Sequence, residues 1–81
     1  MYNSVKVLIQ DSQSKRYLTA SGEWVKDAHQ GDDFESHRRA FAIAQQAKIA
    51  EFNIMLYSAI GHYLFRVDHG TSEDAYAAAY K

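Results

Sequence analysis

Hydrophobic and polar residues alternate along several stretches of the chain, which is the pattern of a β-strand with one buried face. A turn-forming cluster at residues 11–14 separates the first two of these stretches. Trp24 and Val25 form either a short further strand or a packed loop, and the Trp24 ring is expected to close one end of the core. The strands that the alternation predicts are residues 5–10, 15–19, 51–57 and 62–67.

Between the second and third strands the pattern changes to a helical period. Ser36 is a suitable N-cap, and the predicted helix runs from there to about Lys48. A shorter C-terminal helix is predicted at about residues 72–80, because Thr71 and Asp74 have the spacing of a capping box and alanines follow them. The apolar stripe of the main helix consists of Ala40, Phe41, Ile43, Ala44 and Ala47.

These elements predict a single α+β domain over residues 1–81, with the chain order β-β-α-β-β. Short turns between strands favour a small, largely antiparallel sheet. The main helix packs on one face of this sheet, and the C-terminal helix docks either on the sheet or on a partner. The 81 residues include no cysteine, so disulfides cannot add stability and packing or self-association must supply it.

A short series of residues places the chain beside a group of small proteins. The series consists of Tyr17-Leu18, Gly22-x-Trp24, Phe34, then Ala40 and Ala44 on a helix, followed by an alternating strand. In this respect the chain resembles short uncharacterised bacterial and phage modules that contain a β-hairpin, a helix and further strands. The resemblance covers about residues 5–57. It implies the fold and no assigned activity.

Charge and hydropathy limit the possible locations and partners. Nine basic residues face ten acidic ones, for a net charge of -1, so no strongly basic face is expected to hold nucleic acid. Apolar runs are too short to cross a membrane, and the N-terminal residues do not have the pattern of a signal peptide. We therefore expect a cytoplasmic protein without membrane contact.

Alternation places one set of strand side chains beneath the main helix, namely Val5, Val7, Ile9, Phe52, Ile54, Leu56, Tyr63, Phe65 and Val67. The opposite face of the sheet is itself apolar in this arrangement. Contiguous apolar surface usually marks a contact, so we expect either the C-terminal helix or a second copy of the chain to cover this face. No catalytic or phosphate-binding motif is present. We predict a non-enzymatic protein-interaction domain without a cofactor, acting as a homodimer. The predicted interaction surface consists of Leu8, Met55, Tyr57, Leu64, Tyr76 and Tyr80.

Two other functions have candidate residues. A nucleic-acid-binding accessory domain would combine basic residues with exposed aromatic rings from Tyr17 and Tyr57. A metal-dependent enzyme would use histidine and carboxylate ligands, although their spacing matches no known motif, and the sequence favours no metal site. The nucleic-acid candidates are Lys15, Arg16, Arg38 and Arg39. The metal candidates are His29, Asp32, Asp33 and His37.

Overall fold

A computed structural model describes residues 5–60 and 63–72, which form one five-stranded antiparallel sheet with an α-helix on one face. The α+β class and the antiparallel sheet predicted from the sequence are confirmed. None of the helices in these residues is long and apolar enough to span a bilayer. The elements are β1 (Val5–Asp11), β2 (Tyr17–Leu18), β3 (Trp24–Val25), a 3₁₀ turn (Ala28–Gln30), α1 (His37–Gln46), β4 (Glu51–Ser58) and β5 (Tyr63–Thr71).

The order of the elements differs from the prediction at β3. Trp24 and Val25 pair with Leu18 and Tyr17, so a third strand precedes the helix and the chain order is β-β-β-α-β-β. In the sheet the strands lie in the order β3-β2-β1-β4-β5. The long strand β5 and the two-residue strand β3 therefore form the two edges of the sheet.

The last strand is longer than predicted, because it continues through Gly70 to Thr71. Gly70 lies opposite Phe52, and a Cβ added to it would lie 2.6 Å from the Phe41 ring and 2.7 Å from the Phe52 ring. The glycine thus leaves room for two packed aromatic rings rather than ending the strand. Thr71 is the last residue of β5. The rest of the predicted helix lies outside the described residues.

Both ends of α1 are closed by local hydrogen bonds. The Ser36 hydroxyl accepts from the Arg39 amide, as predicted for an N-cap. At the other end the Lys48 amide donates to the Gln45 carbonyl and the Ile49 amide to the Ala44 carbonyl. These two bonds define a Schellman motif, in which the left-handed position is occupied by a lysine with φ 59° instead of a glycine.

The sheet is covered on both faces. On one face, the fully buried Ala40 and Ala44 let α1 approach β1 and β4 closely, above Ile9, Phe52 and Ile54. On the other face a smaller cluster is centred on Leu8. Its remaining members are Tyr17, Ala28 and Met55, with Val25 and Tyr57 packed against them. The 3₁₀ turn thus supplies a cover that the sequence pattern assigned to a helix or a second copy.

The segment that carries the 3₁₀ turn is bound along the first half of β1, where β2 does not reach. The Val7 amide donates to Asp33 Oδ1 at 2.9 Å, and the Phe34 amide donates to the Val7 carbonyl at the same distance. Lys6 Nζ donates to the carbonyls of His29 and Gly31. This segment therefore takes the place of a neighbouring strand.

Candidate interaction surface

Exposed apolar side chains are concentrated at one edge of the sheet. Among the described residues, five of the seven exposed large hydrophobic side chains lie on β5 or in the β4–β5 turn, and a sixth, Val5, lies on β1 across β4 from Tyr63. Tyr63 is 64% exposed and Phe65 is 52% exposed. The remaining one is Trp24, at the opposite edge. The six are Val5, Ile60, Tyr63, Leu64, Phe65 and Val67.

The short helix explains why Val5, Tyr63 and Phe65, which lie on its side of the sheet, are uncovered. The ten residues of α1 extend over about 15 Å, whereas the nine residues of β5 extend over about 30 Å. The helix reaches the Gly70 end of β5 and leaves the other end bare. A hollow of about 230 Å³ lies there, lined by Val5, Leu56, Tyr57, Ser58, Tyr63 and Phe65. We call Val5, Leu56, Tyr63 and Phe65 the β5 patch. The sequence pattern predicts Val5, Tyr63 and Phe65 beneath the helix. This prediction is wrong, because the helix does not reach them and all three are exposed.

A β-bulge divides β5 into two halves. Ile54 pairs with Asp68 and Met55 pairs with Arg66, so Val67 is an extra residue in the strand. The bulge changes which side chains share a face, and Asp68 joins Phe65 on the helix side. Val67, which strict alternation placed in the core, is 41% exposed.

The structure separates the residues of the predicted interaction surface. Leu8 is fully buried and Met55 is 8% exposed, because Ala28 and Tyr17 cover them from within the same chain. These two residues therefore do not contribute exposed surface. Tyr57 is half-buried and Leu64 is 42% exposed. Tyr76 and Tyr80 lie outside the described residues.

The start of the helix is tied to β5 by a short polar contact. His37 Nε2 donates to Asp68 Oδ2 at 2.6 Å, and the His69 amide donates to Asp68 Oδ1 at 2.8 Å. The hydrogen bond from His37, followed by that from the His69 amide, lowers the pKa of Asp68 below its usual value. The contact therefore favours the ionised carboxylate and fixes the edge strand against the helix.

Three of the four candidate metal ligands bind different partners, and the fourth, His29, is exposed. Asp33 Oδ1 accepts from the amides of Val7 and Glu35, and Asp32 Oδ2 accepts from the Ala20 amide. His37 is bound to Asp68. Within residues 5–60 and 63–72, no three histidine or carboxylate side chains are grouped to hold a metal ion.

The candidate basic residues are divided between the two ends of α1. Arg38 and Arg39 lie in its first turn, and Arg39 is 3.8 Å from Glu35. Arg16 lies beyond its last turn, in a groove of about 570 Å³. Tyr17 is buried and its hydroxyl accepts from Gln10 Nε2, so it cannot stack on a base.

The groove beside Arg16 is also lined by Trp24, whose position the sequence pattern predicts incorrectly. The sequence predicts Trp24 in the core, yet its side chain is 37% exposed and lines the groove. The signal available in the sequence was its position between Glu23 and Lys26 in a short, polar stretch. The β1–β2 turn, the strand β3 and the α1–β4 connection meet here, and the lining residues are Asp11, Ser14, Arg16, Trp24, Ala47, Lys48, Ile49 and Ala50.

Comparison with known proteins does not extend these observations. No family model, curated protein or solved structure matches the chain.

Proposed function

We propose that this protein is a self-associating interaction domain, in which β5 pairs with β5 of a second copy. The observation that carries the proposal is the concentration of exposed apolar side chains on an edge strand. Such an edge presents unpaired backbone amides and carbonyls together with hydrophobic surface, and both favour the addition of another strand. No chemistry is assigned to the surface.

The geometry of β5 is suited to pairing with itself. In the described part of the chain, β5 pairs only with β4, so its outer edge faces no other strand. Two antiparallel copies of one strand are related by a two-fold axis, which is the commonest symmetry of protein dimers. The pairing would join two sheets into one, and with the two-fold axis beside residues 63–65 it would bring the two β5 patches together.

Charge on the strand does not oppose this pairing. β5 contains one arginine, Arg66, and one aspartate, Asp68, so its formal charge sums to zero with histidine neutral. A second copy therefore meets balanced charge instead of repulsion between like charges. Hydrophobic burial of Tyr63 and Phe65 then supplies the main favourable term.

The test is a measurement of molar mass by light scattering over a range of protein concentrations. We expect the mass to rise from 9.2 kDa to twice that value with increasing concentration. The double variant Tyr63→Gln, Phe65→Gln should stay at the monomer mass. Hydrogen exchange should show that the amides of β5 become more protected as the dimer forms.

The matched control is Trp24→Gln, which removes an exposed aromatic side chain from the opposite edge and should leave association unchanged. Circular dichroism checks that each variant is folded. A wild-type protein that stays monomeric at millimolar concentration would overturn the proposal. Association that survives in the folded double variant would also overturn it.

A further inference from the structure

We infer that the groove between the β1–β2 turn, β3 and the α1–β4 connection binds a nucleotide unit, with the base on Trp24 and the phosphate on Arg16. This inference is independent of association through β5. The groove lies toward the β3 edge of the sheet, away from the β5 patch. Its volume of about 570 Å³ is within the range of small-molecule sites.

Trp24 supplies a surface for a flat ring. It is on the two-residue edge strand β3, and about a third of its surface is exposed. An exposed indole beside a groove can stack on an aromatic base, and this interaction tolerates different bases because each has a π-face. The ligand class is therefore one with a planar aromatic ring.

Arg16 supplies a binding group for an oxyanion. Its side chain is exposed, and within the described residues no carboxylate lies within ion-pair distance of it. A guanidinium group binds phosphate through two parallel hydrogen bonds. An aromatic ring and a phosphate on one ligand match the pair formed by Trp24 and Arg16.

The rest of the lining favours a nucleotide over a simple aromatic phosphate. Lys48 adds a second positive charge, so the charged residues Asp11, Arg16 and Lys48 give the groove a net formal charge of about +1. Asp11 Oδ2 accepts from the Ser14 amide, and its carboxylate is an acceptor suited to a sugar hydroxyl. Asp11 would thus accept from the sugar, Arg16 would bind the phosphate, and Trp24 would stack on the base.

Trp24 is the single tryptophan of the chain, so its fluorescence reports binding in this groove directly. The experiment titrates the full chain with adenosine 5′-monophosphate, with adenosine and with a short oligodeoxyadenylate. We expect saturable quenching by the nucleotide and at least about tenfold weaker binding of adenosine, which lacks the charged partner of Arg16. Arg16→Gln should weaken nucleotide binding by a similar factor.

Arg38→Gln is the matched control, because it makes the same change at an exposed arginine in the first turn of α1, and it should bind as wild type does. The two sources of a nucleotide unit give different results. Tighter binding of the oligonucleotide with a steep salt dependence identifies single-stranded nucleic acid, whereas equal binding of both identifies a free nucleotide.

Two results would overturn the inference. One is the absence of saturable quenching with either the nucleotide or the oligonucleotide. The other is quenching that is unchanged in Arg16→Gln, because the phosphate would then not be held by this side chain. Arg16 is exposed, so its replacement is not expected to unfold the protein.

Discussion

His37 Nε2 lies 2.6 Å from Asp68 Oδ2, and this hydrogen bond joins the first residue of α1 to the edge strand β5. The two residues are 31 positions apart in the sequence, so the contact forms only in the folded chain. Asp68 reaches the helix side because the bulge at Val67 changes the alternation of β5. The contact therefore depends on one irregular position in the sheet.

Ionisation of Asp68 makes the free energy of unfolding depend on pH in the acid range. Its pKa in the folded protein is lowered below the usual 3.8, chiefly by the hydrogen bond from His37. The stabilisation it contributes is therefore present above the unfolded-state pKa and is lost as the pH falls through about 4 and below. We expect the difference in unfolding free energy between wild type and Asp68→Asn to shrink on acidification from pH 7, in urea titrations. His37→Gln should reduce the same dependence, and a difference that is constant with pH would contradict this assignment.

Gly70→Ala should destabilise the fold by about 1–3 kcal/mol, because a methyl group would press on two packed rings. The added Cβ would lie within 2.7 Å of atoms of Phe41 and Phe52, whose ring centres are 5.0 Å apart. Thermal unfolding measures the effect. Combining Gly70→Ala with Phe41→Leu should cost less than the sum of the two single changes. Additive costs would show that the ring does not set the requirement for glycine.

Asp33→Ala should cost about 1–3 kcal/mol, because it removes the acceptor of the amide of Val7, which is a buried residue. Asp32→Ala is the matched control, since its carboxylate accepts from the exposed Ala20 amide, which water can solvate in its absence. Urea unfolding of the two variants provides the comparison. Equal losses would contradict the view that Asp33 replaces a strand neighbour.

Lys48→Gly should be more stable than Lys48→Ala by about 1 kcal/mol, because position 48 has φ 59° and only glycine adopts this conformation without strain. Both variants remove the lysine side chain, so its contacts cancel in the comparison. Chemical unfolding midpoints measure the difference. Equal stability would mean that the end of α1 can relax away from the Schellman geometry.

Local signals in the sequence predict much of this fold because they act over few residues. Ser36 caps α1, the predicted strands β1 and β4 are formed, and their alternate side chains pack on opposite faces of the sheet. The same alternation cannot say how far a helix reaches along a sheet. Phe65 therefore shares a face with the core and is nevertheless half exposed.

Three other features cannot be predicted from a periodic pattern, each for a different reason. The bulge at Val67 is a single inserted position, and it reverses the faces that follow it without changing composition. The segment around the 3₁₀ turn covers Leu8 with small residues, Ala28 and Gly31, and a Cβ on Gly31 would lie 3.3 Å from the Leu8 side chain. Where backbone at a glycine packs against a side chain, no large hydrophobic residue marks the contact in the sequence. The groove beside Trp24 cannot be predicted from local pattern, because it joins β3 to two connections that are distant along the chain.

The unequal edges of the sheet determine how large an assembly can become. A sheet that offers two similar edges can add subunits at both and grow into a filament, whereas this sheet has one edge of nine residues and one of only two. Two copies joined at their long edges would expose only the short ones. Assembly through β5 would therefore be finite, and it would end when the second subunit has joined.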